Sequence, residues 1–136
     1  MTGFDESEEL SLCACVSAEN YIFYQLKRGF SGIDFETRTK HVQRGGHETT
    51  MAPTITGKIQ AKETGFLVDD YLKAKALVPD GTDLVVTMPG PMTVMDTVHN
   101  SFYDNEQQLA KDIAEVLRAE ALLLIEAGVK YLSVDE

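Results

Sequence analysis

Two carboxylates, Asp135 and Glu136, directly follow an apolar run at residues 129–134. If that run is a buried strand, a carboxylate at its end can hold an ammonium group, ligate a metal ion or act as a base. The structural alternative is that Asp135 caps the start of a following helix. The residue types alone favour neither role over the other.

A second set of chemically useful residues lies in "PGPMT", residues 89–93. Gly90 permits a close approach of the backbone to a ligand, because it has no side chain. Thr93 offers a hydroxyl that could lie near a helix N-terminus, where anions are stabilised. Plain loop punctuation between two elements is the alternative interpretation.

The remaining metal-ligand types are three histidines and two cysteines. His41, His47 and His99 lie in polar segments, and the expectation for each is an exposed surface position. Cys13 and Cys15 are too close in sequence for an unstrained disulfide, and zinc would need two more ligands, so we expect two buried apolar thiols. The sequence therefore predicts no complete metal site, and it offers no residue that we assign as catalytic.

Composition narrows the classes of partner. The chain has 136 residues, 43% of them hydrophobic, which suits one domain with a core. Its 22 acidic and 12 basic residues give a net charge of −10, which disfavours nucleic acid and anionic membranes. No apolar run approaches the roughly 20 residues of a spanning helix. The acidic N-terminus lacks the basic, apolar pattern of a signal peptide, so we expect a cytoplasmic protein.

Apolar spacing predicts three helices and three strands. The predicted helices cover residues 17–29, 66–77 and 105–127, and the predicted strands cover residues 53–59, 84–88 and 129–135. We expect Asp104 or Asn105 to cap the last helix, with a glutamine three residues on returning a capping box. Residues 45–52 are expected to form a loop, and Glu120 is expected to form an ion pair with a neighbouring Lys or Arg.

Alternation of strands and helices predicts an α/β fold with a parallel sheet. Ligands bind beyond the carboxyl ends of the strands in such sheets. That rule selects three places, Gly57-Lys58, residues 89–93 and Asp135-Glu136, which should share one rim. We divide the chain into a leader and helical segment at 1–52 and a βαβαβ portion at 53–136.

From residue 53 onward the sequence resembles cobalamin-independent methionine synthase and related barrel methyltransferases. The similarity is carried by "PTITGKI", "TMPGPMTVMD" and "DNEQQLAKDIAEVLRAEALLLIEAGVKYLSVDE". The family has a Gly-Pro-hydrophobic-Thr turn, a long helix ending at Ala-Gly, and a strand closing in Asp-Glu-Pro. An acidic residue that precedes the first matched strand in the family has no counterpart here.

The resemblance implies methionine biosynthesis by transfer of a methyl group from a methyl-folate-like donor to a homocysteine-like thiol. Asp135 matches the aspartate that holds the substrate amino group. Gly90, Pro91 and Thr93 match the turn that lines the substrate cleft, so these four residues are the predicted substrate-binding set. The zinc ion that activates the thiol in the family has its ligands after the Asp-Glu-Pro motif, and none maps onto this sequence.

The family folds as a (β/α)8 TIM barrel, which needs roughly 250 residues. The resemblance therefore implies a partial TIM-barrel-like fold with three strands, inactive on its own and binding no zinc. One alternative is a small non-enzymatic α/β domain that binds a ligand or a partner. Another is a related barrel such as a coenzyme M thiol transferase. Open sheet edges also predict a homo-oligomer that covers them.

Overall fold

A computed structural model describes residues 21–46 and 48–136, without the side chains of residues 48–50. Predictions for Cys13, Cys15, His47 and the start of the first helix lie outside the described residues. The helices are α1 (Tyr21–Gly29), α2 (Phe66–Leu77), α3 (Pro91–Thr97) and α4 (Glu106–Glu126). The strands are β1 (Phe30–Val42), β2 (Glu48–Ala61), β3 (Val85–Pro89), β4 (His99–Asn100) and β5 (Tyr131–Asp135).

The long helix α4 forms where its apolar stripe predicts it. Asn105 caps its start, because the Asn105 side chain accepts a hydrogen bond from the Gln107 backbone N–H at 2.8 Å. The Gln108 side chain donates to Asp112 instead of returning to the cap, so a capping box through Gln108 is wrong. Gly128, at φ 97°, supplies the left-handed turn that lets the chain reverse into β5.

A long antiparallel hairpin occupies the segment before and after residue 45. β1 and β2 pair from Phe30↔Ala61 to Val42↔Glu48, with three irregularities in register along the way. The predicted loop at 45–52 is therefore wrong from Glu48 onward, and β1 was not predicted. The polar residues of β1 hid it, since the strand is only half-buried along most of its length and has no apolar alternation.

The strands form two sheets rather than one. β2 lies between β1 and the short parallel strand β4, whereas β3 and β5 form a separate parallel pair. The expected alternation of strand, helix, strand, helix, strand is present, and the last two strands are parallel. An all-parallel arrangement is wrong for β2, because its long partner β1 runs antiparallel to it. The described residues do not close into a barrel.

One apolar core joins these elements. Its fully buried members come from both sheets and from α1, α3 and α4, and include Leu26, Ile55, Met88, Val94 and Ile113. Val85, in contrast, is 40% exposed, so β3 is not covered on both faces as its apolar sequence predicted. Within the described ranges, no helix is long and apolar enough to cross a membrane.

The buried carboxylate of Glu120 caps a neighbouring helix instead of pairing with a cation. Glu120 is 3% exposed and accepts hydrogen bonds from the backbone N–H groups of Gly65, at 2.7 Å, and Leu67, at 3.3 Å. Gly65 begins α2 in a left-handed conformation and has no side chain with which to cap it. The ion-pair expectation for Glu120 is therefore wrong, and α4 stabilises the positive end of α2.

A second buried carboxylate fastens α1 to α2. Asp70 is 5% exposed and lies 2.9 Å from Nη1 of Arg28. Burial opposes the charge of Arg28, but hydrogen bonds to Tyr24 and Glu63 and the charge of Asp70 outweigh it and raise the Arg28 pKa above its ordinary value. The cation also lies over the rings of Tyr24 and Phe66. This network fixes α1 in the position from which it reaches β3 and β5.

Candidate functional site

The carboxyl ends of β3 and β5 meet at one edge, as the sequence rule predicts for a parallel pair. Pro89 pairs with Asp135, and the backbone N–H of Gly90 donates to the Asp135 carbonyl at 2.6 Å. Thr93 Oγ1 donates to the same carbonyl at 3.0 Å. Gly90, Pro91 and Thr93 are thus brought together with Asp135, and α3 begins directly above the end of β5.

Gly90 is the point of closest approach in this arrangement. A Cβ atom at position 90 would lie 1.8 Å from Oε2 of Glu136, so the Glu136 carboxylate fills the space that glycine leaves. Oε2 also accepts a hydrogen bond from the Met92 backbone N–H at 3.2 Å. The carboxylate stands beside the first turn of α3, where a negative charge is favourable. The absence of a side chain at Gly90 thus leaves the space that the Glu136 carboxylate occupies.

Two residues of α1 complete the site, and sequence reasoning missed both. Tyr21 donates its hydroxyl to Oδ2 of Asp135 at 2.5 Å, across 114 positions of sequence. Gln25, 6% exposed, donates Nε2 to the Thr87 carbonyl of β3 at 2.8 Å. A single tyrosine and glutamine in an amphipathic helix carry no local pattern that marks them, so only the long-range packing of α1 reveals their role.

Gly57 and Lys58 do not lie at the end of a strand. β2 continues to Ala61, and the Cα of Gly32 in β1 lies 3.8 Å from the position of a Gly57 Cβ. The prediction of three places on one rim is therefore wrong for this pair. Lys58 instead borders an open groove of about 360 Å³ between β2 and α4, which Asp112 and Glu115 face from the helix.

The histidines that the structure describes are not simple surface residues. His41 and His99 are half-buried, and their rings contact edge to face with centroids 5.7 Å apart. Nε2 of His41 is shielded from solvent and has no hydrogen-bond partner. Burial first, and the nearby His99 second, lower the His41 pKa below its ordinary value. The expectation of exposed positions is wrong for both.

The described side chains do not form a metal centre. No three His, Cys, Asp or Glu side chains among residues 21–46 and 48–136 converge in a way that could hold a metal ion. The described residues therefore do not fit the zinc ion that the resemblance implies.

The sequence is similar to those of known methionine synthases. No family model matches the sequence. The methionine synthase of Sulfurisphaera tokodaii is 36% identical over 84 residues, which are 62% of this chain and 24% of that protein. The methionine synthase of Sulfolobus acidocaldarius is 33% identical over 96 residues, 71% of this chain and 28% of that protein. The chain thus spans about a quarter of the length of the curated relatives that it matches.

A solved structure shows the same likeness in three dimensions. It is a B12-independent methionine synthase from a Shewanella species in complex with selenomethionine, with a TM-score of 0.74 and 26% identity. The match covers 86% of this chain and 33% of that one. The fold is thus similar to part of a B12-independent methionine synthase. Over part of that enzyme's length, the chain resembles the cobalamin-independent methionine synthase in particular, so the predicted resemblance is confirmed.

Proposed function

We propose that the chain is part of a methyltransferase like cobalamin-independent methionine synthase and supplies one wall of its amino-acid site. The reaction of the whole protein would move a methyl group from a methyl-folate-like donor to the thiol of a homocysteine-like acceptor. One observation carries the proposal: the pairing of Pro89 with Asp135 brings the glycine turn and a carboxylate to a single edge. The solved relative with selenomethionine supports an amino-acid ligand for this fold.

Asp135 is the residue that we assign to the substrate ammonium group. Its side chain is exposed at the end of β5, so a ligand can reach it. Tyr21 holds Oδ2, which orients the carboxylate and leaves Oδ1 outside that hydrogen bond. A charge-assisted hydrogen bond from an ammonium group to a carboxylate oriented in this way is stronger than one between neutral groups.

Gly90, Pro91 and Thr93 are assigned to the floor of the same cleft. Gly90 is buried and α3 begins with Pro91, so the turn presents backbone rather than bulky side chains. The Thr93 hydroxyl is already bonded to the Asp135 carbonyl, which ties the turn to the strand that carries the carboxylate. We assign no catalytic residue and no metal ligand to this chain, and zinc activation of the thiol is proposed only for the whole protein.

Binding of an amino acid to the 136-residue chain tests this assignment. In a nuclear magnetic resonance titration with L-selenomethionine, we expect the amide signals of Gly90, Thr93 and Asp135 to shift. Asp135→Asn should abolish most of the shift, because it removes the charge that faces the ammonium group. Asp83→Asn is the matched control, because Asp83 forms an ion pair with Lys130 at the amino ends of β3 and β5, away from the candidate site. Shifts that survive Asp135→Asn, or no shifts at all, would contradict the assignment.

The whole reaction is tested by transplanting the chain. The 136-residue chain would replace the segment of the Sulfolobus acidocaldarius relative that it matches, and methyl transfer to homocysteine would be measured with zinc present. We expect the hybrid to be active and the isolated chain to be inactive. A transfer reaction catalysed by the isolated chain, or stoichiometric zinc bound to it, would overturn the proposal that other parts of the protein supply the metal site.

The free edge of β5 bears on the state of the isolated chain. Among the described residues, β5 pairs only with β3, and it exposes about half of the Tyr131 and Val134 side chains, at 52% and 53%. An uncovered strand edge with apolar side chains favours association. We propose that the isolated chain self-associates at this edge, and sedimentation over a range of concentrations tests it. A compact monomer at high concentration would instead favour an independent, fully folded domain.

A further inference from the structure

Two further contacts between distant parts of the chain lie at the turn of the β1–β2 hairpin. Arg44, just after β1, approaches Asp96 near the end of α3 with Nε 2.6 Å from Oδ2. The Arg44 backbone N–H also donates to Oδ1 of Asp96 at 3.1 Å. Both oxygens of one carboxylate are thus held by one residue, which is a stronger and better oriented contact than a simple surface pair.

The second contact is the ring pair of His41 in β1 and His99 in β4. Asp96 and Glu106 lie near enough to His41 to act on its charge, and both favour the protonated form. The backbone of Met95 acts in the same direction. Burial and His99 oppose protonation and prevail. The residue of β2 opposite His41 is Thr49, which is uncharged.

The element held by these contacts is α3, and α3 carries the candidate site. Its seven residues begin at Pro91, and Val94 N–H donates to the Gly90 carbonyl at 3.0 Å. The Val98 N–H continues the series to the Val94 carbonyl at 3.2 Å. A helix of two turns transmits a displacement of one end to the other, because its hydrogen bonds leave little slack.

We propose that the end of the hairpin is a pH-sensitive clamp on α3, formed by Arg44–Asp96 and His41–His99, which sets how firmly the Gly90–Thr93 turn is held. The consequence for substrate binding rests on the proposed function, whereas the clamp itself does not. The closed clamp favours a neutral His41, since a proton on Nε2 of His41 would be shielded from water and the His99 ring lies close by.

The direction of the pH effect follows from the lowered pKa of His41. When the clamp opens, His41 recovers its ordinary pKa of 6.5 and takes up a proton more readily than in the closed state. The closed state is therefore fully stable above pH 6.5 and loses stability as the pH falls from there toward the lowered pKa. Below that pKa no further loss is expected from this group.

Amide hydrogen exchange of the full 136-residue chain tests the clamp. Exchange rates are divided by those of unstructured peptides at the same pH, so that only the opening equilibrium is compared. Between pH 7.5 and 5.5, we expect the protection of Val94 and Val98 to fall several-fold more than that of Ile113 in α4. Equal changes in both helices, or a rise in protection in α3, would overturn the proposal.

Variants separate the two contacts. His41→Gln should abolish the extra pH dependence in α3, because it removes the group that takes up the proton. His99→Gln should reduce it, because it removes a neighbour that lowers the His41 pKa. Arg44→Gln should lower the protection of α3 at both pH values. Arg38→Gln is its control, since Arg38 donates within the hairpin to the Met51 carbonyl. If His41→Gln and His99→Gln both keep the native pH dependence, the histidines are not the switch. These experiments need no substrate, so they remain decisive if amino-acid binding fails.

Discussion

The β1–β2 hairpin and the β3–β5 edge are held together by different kinds of group. In the hairpin the critical approach is between backbones: a Cβ at Gly32 would lie 2.5 Å from the Lys58 carbonyl. At the β3–β5 edge, one backbone hydrogen bond from Gly90 to Asp135 is joined by contacts through the side-chain oxygens of Thr93, Glu136 and Tyr21. Backbones of paired strands cannot move apart singly, whereas side chains can rotate. The hairpin is thus a rigid support, and the edge that carries the candidate site is adjustable.

The largest loss of stability is expected in the β1–β2 hairpin. Gly32→Ala combines a backbone at φ 91° with a clash against two carbonyl groups, so the free energy of unfolding should fall by about 3 kcal/mol. Urea unfolding measures it. Gly46→Ala is the control, because Gly46 has a similar φ of 83° but nothing within 4 Å of an added Cβ. Equal losses in the two variants would show that backbone strain, and not the close approach, dominates.

The next largest loss of stability is expected at Glu120, a buried side chain that bonds to backbone N–H groups. Glu120→Ala leaves the N–H groups of Gly65 and Leu67 without their acceptor, which should cost about 2 kcal/mol of unfolding free energy. Glu126→Ala, an exposed residue at the end of the same helix, should change stability by less than about 0.5 kcal/mol. An unchanged unfolding free energy in Glu120→Ala would mean that water replaces the carboxylate as the acceptor.

A smaller loss of stability is expected at the β3–β5 edge, where Gly90 can be compared with Gly32. Gly90→Ala also meets a neighbour, but that neighbour is the movable carboxylate of Glu136 and the backbone at φ −82° suits any residue. The loss of stability should stay below about 1 kcal/mol, because the side chain rotates away. The Met92 amide signal should nevertheless shift as its acceptor leaves. A loss equal to that of Gly32→Ala would show that the β3–β5 edge is as rigid as the hairpin.

The smallest effect concerns the amino end of the same sheet. Lys130 and Asp83 form an exposed ion pair at 3.4 Å, with side-chain exposures of 70% and 43%. Lys130→Gln should therefore change the unfolding free energy by no more than about 0.5 kcal/mol, and added salt should remove even that difference. A larger, salt-resistant loss would indicate that this end of β3–β5 is more rigid than its exposure implies.

Sequence reasoning succeeded where the governing interactions are local. The apolar stripe of α4, the cap at Asn105 and the terminator at Gly128 each depend on residues within a few positions, and all three form as predicted. The juxtaposition of Gly90 and Asp135 also follows from strand ends that share an edge. The resemblance to methionine synthase rested on the same segments and is confirmed over part of that enzyme's length.

The failures share a different physical origin. β1 pairs along a half-buried polar strand whose register is fixed by bulges, and no period in the sequence marks it. Glu120, Tyr21 and His41 find partners on other elements, more than 40 positions away in sequence. Their side chains have the same types as ordinary surface residues, so only the packing distinguishes them. The division of the chain at 52–53 stays a prediction, and β2 runs across that boundary.

Gln25 has a consequence for how far the β3–β5 sheet can grow. Successive residues of a strand direct their backbone groups to opposite edges, and Gly90 N–H is bonded to β5. The Thr87 carbonyl, three positions earlier, therefore points to the other edge, and Gln25 occupies it. Pro89, on that same edge, has no N–H to offer a further strand. A glutamine and a proline thus occupy the edge of β3 away from β5 near its carboxyl end, so a further strand could pair there only if Gln25 moved aside.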